Sequence, residues 1–158
     1  MKNILLKHGS TIILRLSVFA IGLFIFALCV GIAFLIADGE QDYRTPMWLG
    51  LYVAAVPFYI ALYQTFKLLS YIDKNKAFSM LSVKALNTIK YCGFAIAGWF
   101  ALSSPYTMHV AQKDDAPGIF AIALVLIGAS FAVGIFAAVL QKLLKDAIAI
   151  KKENDLTV

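Results

Sequence analysis

Four stretches of this chain are each too long and too apolar to be helices of a soluble core, and that fixes its solvent. Roughly residues 16–37, 47–72, 86–104 and 117–140 each reach about the 20 apolar residues that a helix needs to cross a hydrocarbon layer. The chain has 158 residues and is 61% hydrophobic. One core in so short a chain cannot hide that much apolar surface from water, whereas lipid tails cover the outer faces of a small bundle directly. The expected fold class is all-α: one transmembrane domain over residues 1–158, an integral membrane four-helix bundle whose last helix continues into an amphipathic cytoplasmic extension over 141–158. Lys2, Lys7 and Arg15 precede the first stretch as they would in a signal peptide. The apolar run exceeds an h-region, however, and no small-x-small cleavage site follows, so it reads as an uncleaved first span.

Lysine and arginine orient the spans, because short loops that keep them stay on the cytoplasmic side. Lys2, Lys7 and Arg15 lie at the start, Lys67, Lys74, Lys76, Lys84 and Lys90 around the central connection, and Lys142, Lys145, Lys151 and Lys152 in the tail. The other two connections hold only Arg44 and Lys113 against Asp38, Glu40, Asp42, Asp114 and Asp115. The chain is therefore expected to be a multi-pass protein of the cytoplasmic membrane with both termini and the middle loop inside. The acidic outer loops read first as solvated charges obeying the topology rule, and second as a rim that draws cations or cationic peptides.

Local signals agree with this layout. Ser79 or Ser82 suits the cap of the third helix, and Pro117 suits the first turn of the fourth. Tyr43 and Trp48 suit the outer interface, and Pro57 interrupts the second helix near its middle. Small residues recur four apart: Ala27 and Gly31; Gly93, Ala97 and Ala101; Ser130, Gly134 and Ala138. Such rows let helices approach closely and read as packing faces within the bundle, with a homodimer face or a ligand groove as the alternatives.

Nothing in the chain demands a chemistry. Cys29 and Cys92 sit inside apolar runs as small hydrophobes, and His8 and His109 lie far apart with no metal-ligand spacing, so neither a metal nor another cofactor is expected. No acid, base and nucleophile are brought together, and the carboxylates fall in loops or the tail, so the protein is read as no enzyme. Ionisable side chains at a membrane midplane would mark an ion path. Here Gln64, Lys67 and Lys90 lie toward the inner edge, where long side chains snorkel to the headgroups.

The tail is more informative. Leu140, Leu143, Leu144, Ala147 and Ile148 form an apolar stripe at three- and four-residue spacing, with Lys142, Lys145, Asp146 and Lys152 on other faces. That stripe needs a cover, which is the lipid surface, another part of this chain, or the groove of a partner.

Two segments carry a resemblance: Lys76-Ala77-Phe78-Ser79 with Val83-Lys84-Ala85-Leu86 and Ile89, and the ending Lys152-Glu153-Asn154-Asp155-Leu156-Thr157-Val158. With them the chain resembles the bacterial domain-of-unknown-function family 2975, small four-span membrane proteins, over nearly its whole length. Ala77 departs from the Gly or Pro usual there. The resemblance implies no enzymatic activity, and implies a small cytoplasmic helix-turn-helix regulator as partner, because such regulators are often encoded beside members of the family. The expected function is then regulatory: Phe78, Ser79, Lys84, Leu143, Leu144, Ile148, Asn154, Asp155 and Leu156 bind or sequester that regulator, and the protein itself touches lipid but no nucleic acid. Two other classes stand beside it. One is a small transporter, channel or accessory subunit, which needs a polar path. The other is immunity or stress protection against membrane-active peptides, which needs the acidic outer loops.

Overall fold

The computed structural model describes residues 2–39 and 42–157, with the side chains of residues 2–8 outside that description. Readings placed on Glu40, on Val158 and on the side chains of Lys2, Lys7 and His8 therefore lie outside the described residues. The chain forms four helices, α1 (Lys2–Asp38), α2 (Thr45–Asp73), α3 (Met80–Lys113) and α4 (Pro117–Leu156), and no strand among the described residues. The all-α membrane bundle is as expected. Each helix outruns its apolar stretch, because once the backbone leaves the hydrocarbon nothing obliges it to stop. At 1.5 Å per residue the 40 residues of α4 span about 60 Å, against a hydrocarbon thickness of about 30 Å.

The connections are tight and chemically defined. Asn75 and Asp115 both adopt left-handed backbone, φ 56° and 51°. Each closes its helix with a Schellman pair: the Lys76 amide donates to the Tyr71 carbonyl at 2.8 Å and the Ala116 amide to the Ala111 carbonyl at 2.9 Å. Asn and Asp tolerate this conformation because their short polar side chains satisfy the local backbone. Pro117 then starts α4, while Ser79 occupies the cap position of α3 in extended backbone without making a side-chain cap bond.

Contacts between helices follow chain order: α1 packs on α2, α2 on α3 and α3 on α4, with no other pair of helices in contact among the described residues. The interface of α3 with α4 is the most extensive and that of α1 with α2 the least. Gly93 and Gly134 explain the first. A Cβ on Gly93 would stand 2.8 Å from the Gly134 amide nitrogen and 2.9 Å from the Ser130 carbonyl oxygen, so backbone meets backbone there. Ala97 and Ala137 are buried on the same seam, whereas Ala101 is exposed. Asn87 accepts from the Gln141 amide at 3.1 Å, and Lys90 donates to the same Gln141 side chain at 3.3 Å.

On α1 the small residues do not form a packing face within the bundle. Ala27 and Gly31 are exposed, and a Cβ on Gly31 would meet nothing within 4 Å. The contact face is set instead by Thr11, Gly22, Cys29 and Ile32. There the Tyr59 hydroxyl donates to the Gly22 carbonyl at 3.0 Å, the Tyr52 hydroxyl reaches the Cys29 carbonyl, and Arg15 pairs with Asp73 at 2.8 Å. Backbone carbonyls on α1 accept from α2 tyrosines, a signal that residue size does not carry.

By length and composition α1, α2 and α4 can cross a membrane, with Gly9–Asp38 the apolar part of α1. That is one helix fewer than the sequence reading. α3 is the exception because it carries Lys84, Asn87, Lys90 and, past Ser104, Pro105, Thr107 and His109. It also holds most of the buried residues, since α2 and α4 flank it. A helix screened from lipid on two sides does not need an apolar surface all round. The sequence reading also ended this helix at Ser104, before Pro105. The helix runs on for nine residues because Val110, at 0% exposure, and Ala111 are locked into the interior.

Candidate functional site

The antiparallel order puts the start of α1, the 74–79 connection and the end of α4 at one end, here the tail end, and the 39–44 and 114–116 connections at the other. Most residues anticipated from the sequence stand at the tail end. Phe78 is 61% exposed in the connection, Ser79 stands at the cap position before α3 with its Oγ buried, and Lys84 is exposed one turn on. On α4, Leu143 is exposed while Leu144, Ala147 and Ile148 are half-buried. In the register set by Gly93 opposite Gly134 and Asn87 opposite Gln141, Ile148 lies across from the start of α3. The tail stripe is thus partly covered by this chain itself. From Ala149 to Thr157 every residue is exposed, Asn154, Asp155 and Leu156 among them, as α4 runs beyond the end of α3.

The opposite end holds a constellation that the sequence reading did not assemble. Arg44, just before α2, donates through Nε to Asp114 Oδ2 at 2.9 Å, and the Asp114 side chain is only 9% exposed. The Tyr43 hydroxyl donates to the other oxygen of Asp114, and the Tyr106 hydroxyl donates to the Tyr43 carbonyl. Lys113 sits over the Tyr43 ring with Nζ 3.7 Å from its centroid, and Asp42 flanks Arg44 at 3.9 Å. Asp114 is therefore a structural anion joining two connections, not the solvated loop charge that the topology rule predicts. The available signal was Arg44 itself: with Lys113, it breaks the acidic pattern of those loops.

Beneath this cluster lies a cavity of about 420 Å³ between α2 and α4, floored by α3. It exists because α2 and α4 both pack on α3 and do not reach each other. Trp48, Trp99, Phe100, Ile122 and Leu126 give it apolar walls, with Arg44 and Asp114 at one end. Three of its neutral polar groups are bonded within the chain: the Trp99 indole donates to the Gly50 carbonyl at 2.9 Å, Ser103 donates to the Trp99 carbonyl at 3.0 Å, and Thr107 to the Ser103 carbonyl at 3.0 Å. What remains on offer is hydrocarbon surface, the Trp48 indole and one ion pair.

The electrostatics of that pair have a pH signature. The Tyr43 hydrogen bond, then Arg44, hold the Asp114 carboxyl below its usual range, and the Asp114 bond pushes the Tyr43 phenol up. A depressed carboxyl stabilises the fold above its ordinary value of about 4 and ceases to as pH falls through the depressed one. A raised phenol stabilises below about 10 and ceases to as pH rises through the raised value. Emission from Trp48 and Trp99 is thus expected to stay constant between about pH 5 and 9 and to shift on acidification below about pH 4. In Asp114→Asn that acid shift should vanish. If it persists, some other group links these loops to pH.

With this geometry in view, the match to a family model is informative: the one described as a protein of unknown function, DUF2975, matches residues 36–158. The chain belongs to the DUF2975 family. It is also 52% identical to the uncharacterized membrane protein YoaS of Bacillus subtilis (strain 168), over 97% of this chain and all of that protein. No solved structure matches it. The DUF2975 match begins at Ile36, so it takes in α2, α3, α4, both loop clusters and the tail, and leaves nearly all of α1 outside. The helix with the smallest interface is the one the family model omits. The resemblance seen in the sequence extended to nearly the whole chain; its defining segments all fall within the matched part.

Proposed function

We propose that this DUF2975 protein is a non-enzymatic regulator of the bacterial cytoplasmic membrane, crossing it four times with both termini inside, which holds a small cytoplasmic helix-turn-helix protein at its tail end. One observation carries the reading: α4 continues unbroken beyond α3 and presents Ala149 to Leu156 as a free helical projection, beside exposed Phe78, Met80 and Leu81. Exposed aromatic and aliphatic side chains rimmed by Lys84, Lys151 and Lys152 are the composition of a helix-docking surface. The lysine distribution supports placing that surface in the cytoplasm. Because Leu144 and Ile148 are half-buried on the chain's own side, the contact falls mainly on Phe78, Lys84, Leu143 and the last two turns.

Co-purification from native membranes in mild detergent tests this. The intact chain should bring down a small helix-turn-helix protein, and a chain ending at Lys142 should lose at least nine-tenths of it, because the projection is then gone. Equal recovery with the truncated chain would remove the tail from the account. Absence of any such protein from the intact chain would reject the regulatory reading.

A further inference from the structure

We infer that the cavity between α2 and α4 is a binding site for one acyl chain of a zwitterionic phospholipid, whose phosphate meets Arg44 and whose ammonium meets Asp42. The lining decides the body of the ligand. Its Ser103, Thr107 and Trp99 donors are held by backbone carbonyls, so the walls reward mainly hydrocarbon, and about 420 Å³ is within the range of built small-molecule sites. The walls also come from three helices that pack serially, which leaves the space between α2 and α4 to be filled from the surrounding lipid.

The mouth decides the head. Arg44 meets Asp114 through Nε, and a guanidinium carries five donors in a planar fork suited to phosphate oxygens. Beside it stand Asp42, half exposed, and Asp114, with Lys113 across the Tyr43 ring. A headgroup bearing only negative charge would meet the carboxylates as well as the guanidinium. One bearing a phosphate and an ammonium places each beside its opposite. The polar cluster and the apolar cavity share Arg44 and Asp114, so head and tail are read by one continuous site.

The chain supplies its own reporter, since its two tryptophans, Trp48 and Trp99, both line the cavity. The experiment reconstitutes the full chain in vesicles and measures quenching of tryptophan emission by lipids with brominated acyl chains. Brominated phosphatidylethanolamine at low mole fraction in phosphatidylglycerol is compared with the reverse mixture. The expected result is a relative binding constant about fivefold in favour of phosphatidylethanolamine, the value of one favourable charge contact near a membrane surface. Ala123→Leu, which fills the cavity, should reduce quenching by both lipids. Ile122→Phe, at an exposed edge position and so tolerant of bulk, should do the same if Ala123→Leu fails to fold. Arg44→Gln should keep the quenching and lose the preference. A relative constant near one in the parent chain overturns the head assignment, and quenching unchanged in a folded cavity-filled variant means the tryptophans see only bulk lipid and overturns the site. A preference that survives Arg44→Gln overturns the head assignment.

Discussion

Gly93→Val is expected to separate α3 from α4 and to leave little folded protein after extraction. The obstacle to a side chain at Gly93 is the backbone of α4, the Gly134 amide at 2.8 Å and the Ser130 carbonyl at 2.9 Å, and neither can rotate aside. The helices must move apart along the most extensive interface of the bundle. Overpacking costs about 1–3 kcal/mol where side chains can adjust, so about 3 kcal/mol or more is expected here. Three other glycines grade the effect. Gly134→Ala meets the Phe94 ring at 2.9 Å, a side chain with some freedom to shift, and should cost less. Gly98→Ala and Gly128→Ala meet nothing within 4 Å and should stay within about 0.5 kcal/mol of the parent. Thermal aggregation in detergent of the four variants checks the order, and a Gly93→Val chain as stable as Gly98→Ala would refute the backbone contact.

Val110→Asp should be comparably damaging for a different reason. Val110 has no exposed surface, and its carbonyl accepts from the Asp114 amide at 3.0 Å, so it seats the turn that aims Asp114 at Arg44. An uncompensated charge at a buried position costs about 3–5 kcal/mol, while a hydroxyl of the same shape, in Val110→Thr, costs about 1–3 kcal/mol. Val110→Asp should therefore unfold the end of α3 and shift the emission of Trp48 and Trp99, with Val110→Thr intermediate. Equal emission spectra in all three chains would show that Val110 does not support the cluster.

Helix number, chain order and the tail extension were legible because each rests on a local property: apolar run length, turn chemistry or amphipathic period. The α3–α4 seam was legible for the same reason, through Gly93, Ala97, Ser130 and Gly134. The α1–α2 face was not, since Tyr52 and Tyr59 bond to carbonyls that are identical at every residue of α1. The Arg44–Asp114 pair was hidden because its members lie seventy residues apart, and because the rule that sorts loop charges by side treats each as solvated. That pairing also weakens the reading of an acidic rim for cationic peptides, as Asp114 already holds its counter-ion. Pro105 misled for a related reason, since a local helix-ending signal gave way to the burial of Val110.

Serial packing has a kinetic consequence. Because every interhelical contact among the described residues joins elements adjacent in the chain, the contact order is low, and each helix meets its earlier partner as soon as it leaves the ribosome. Assembly is then vectorial: α2 docks on α1, α3 on α2, α4 on α3, and no late helix has to insert between earlier ones. Detachment should run in the opposite sense of strength, with α1 peeling from the edge while the α3–α4 hairpin holds, so the bundle loosens from its N-terminal side first.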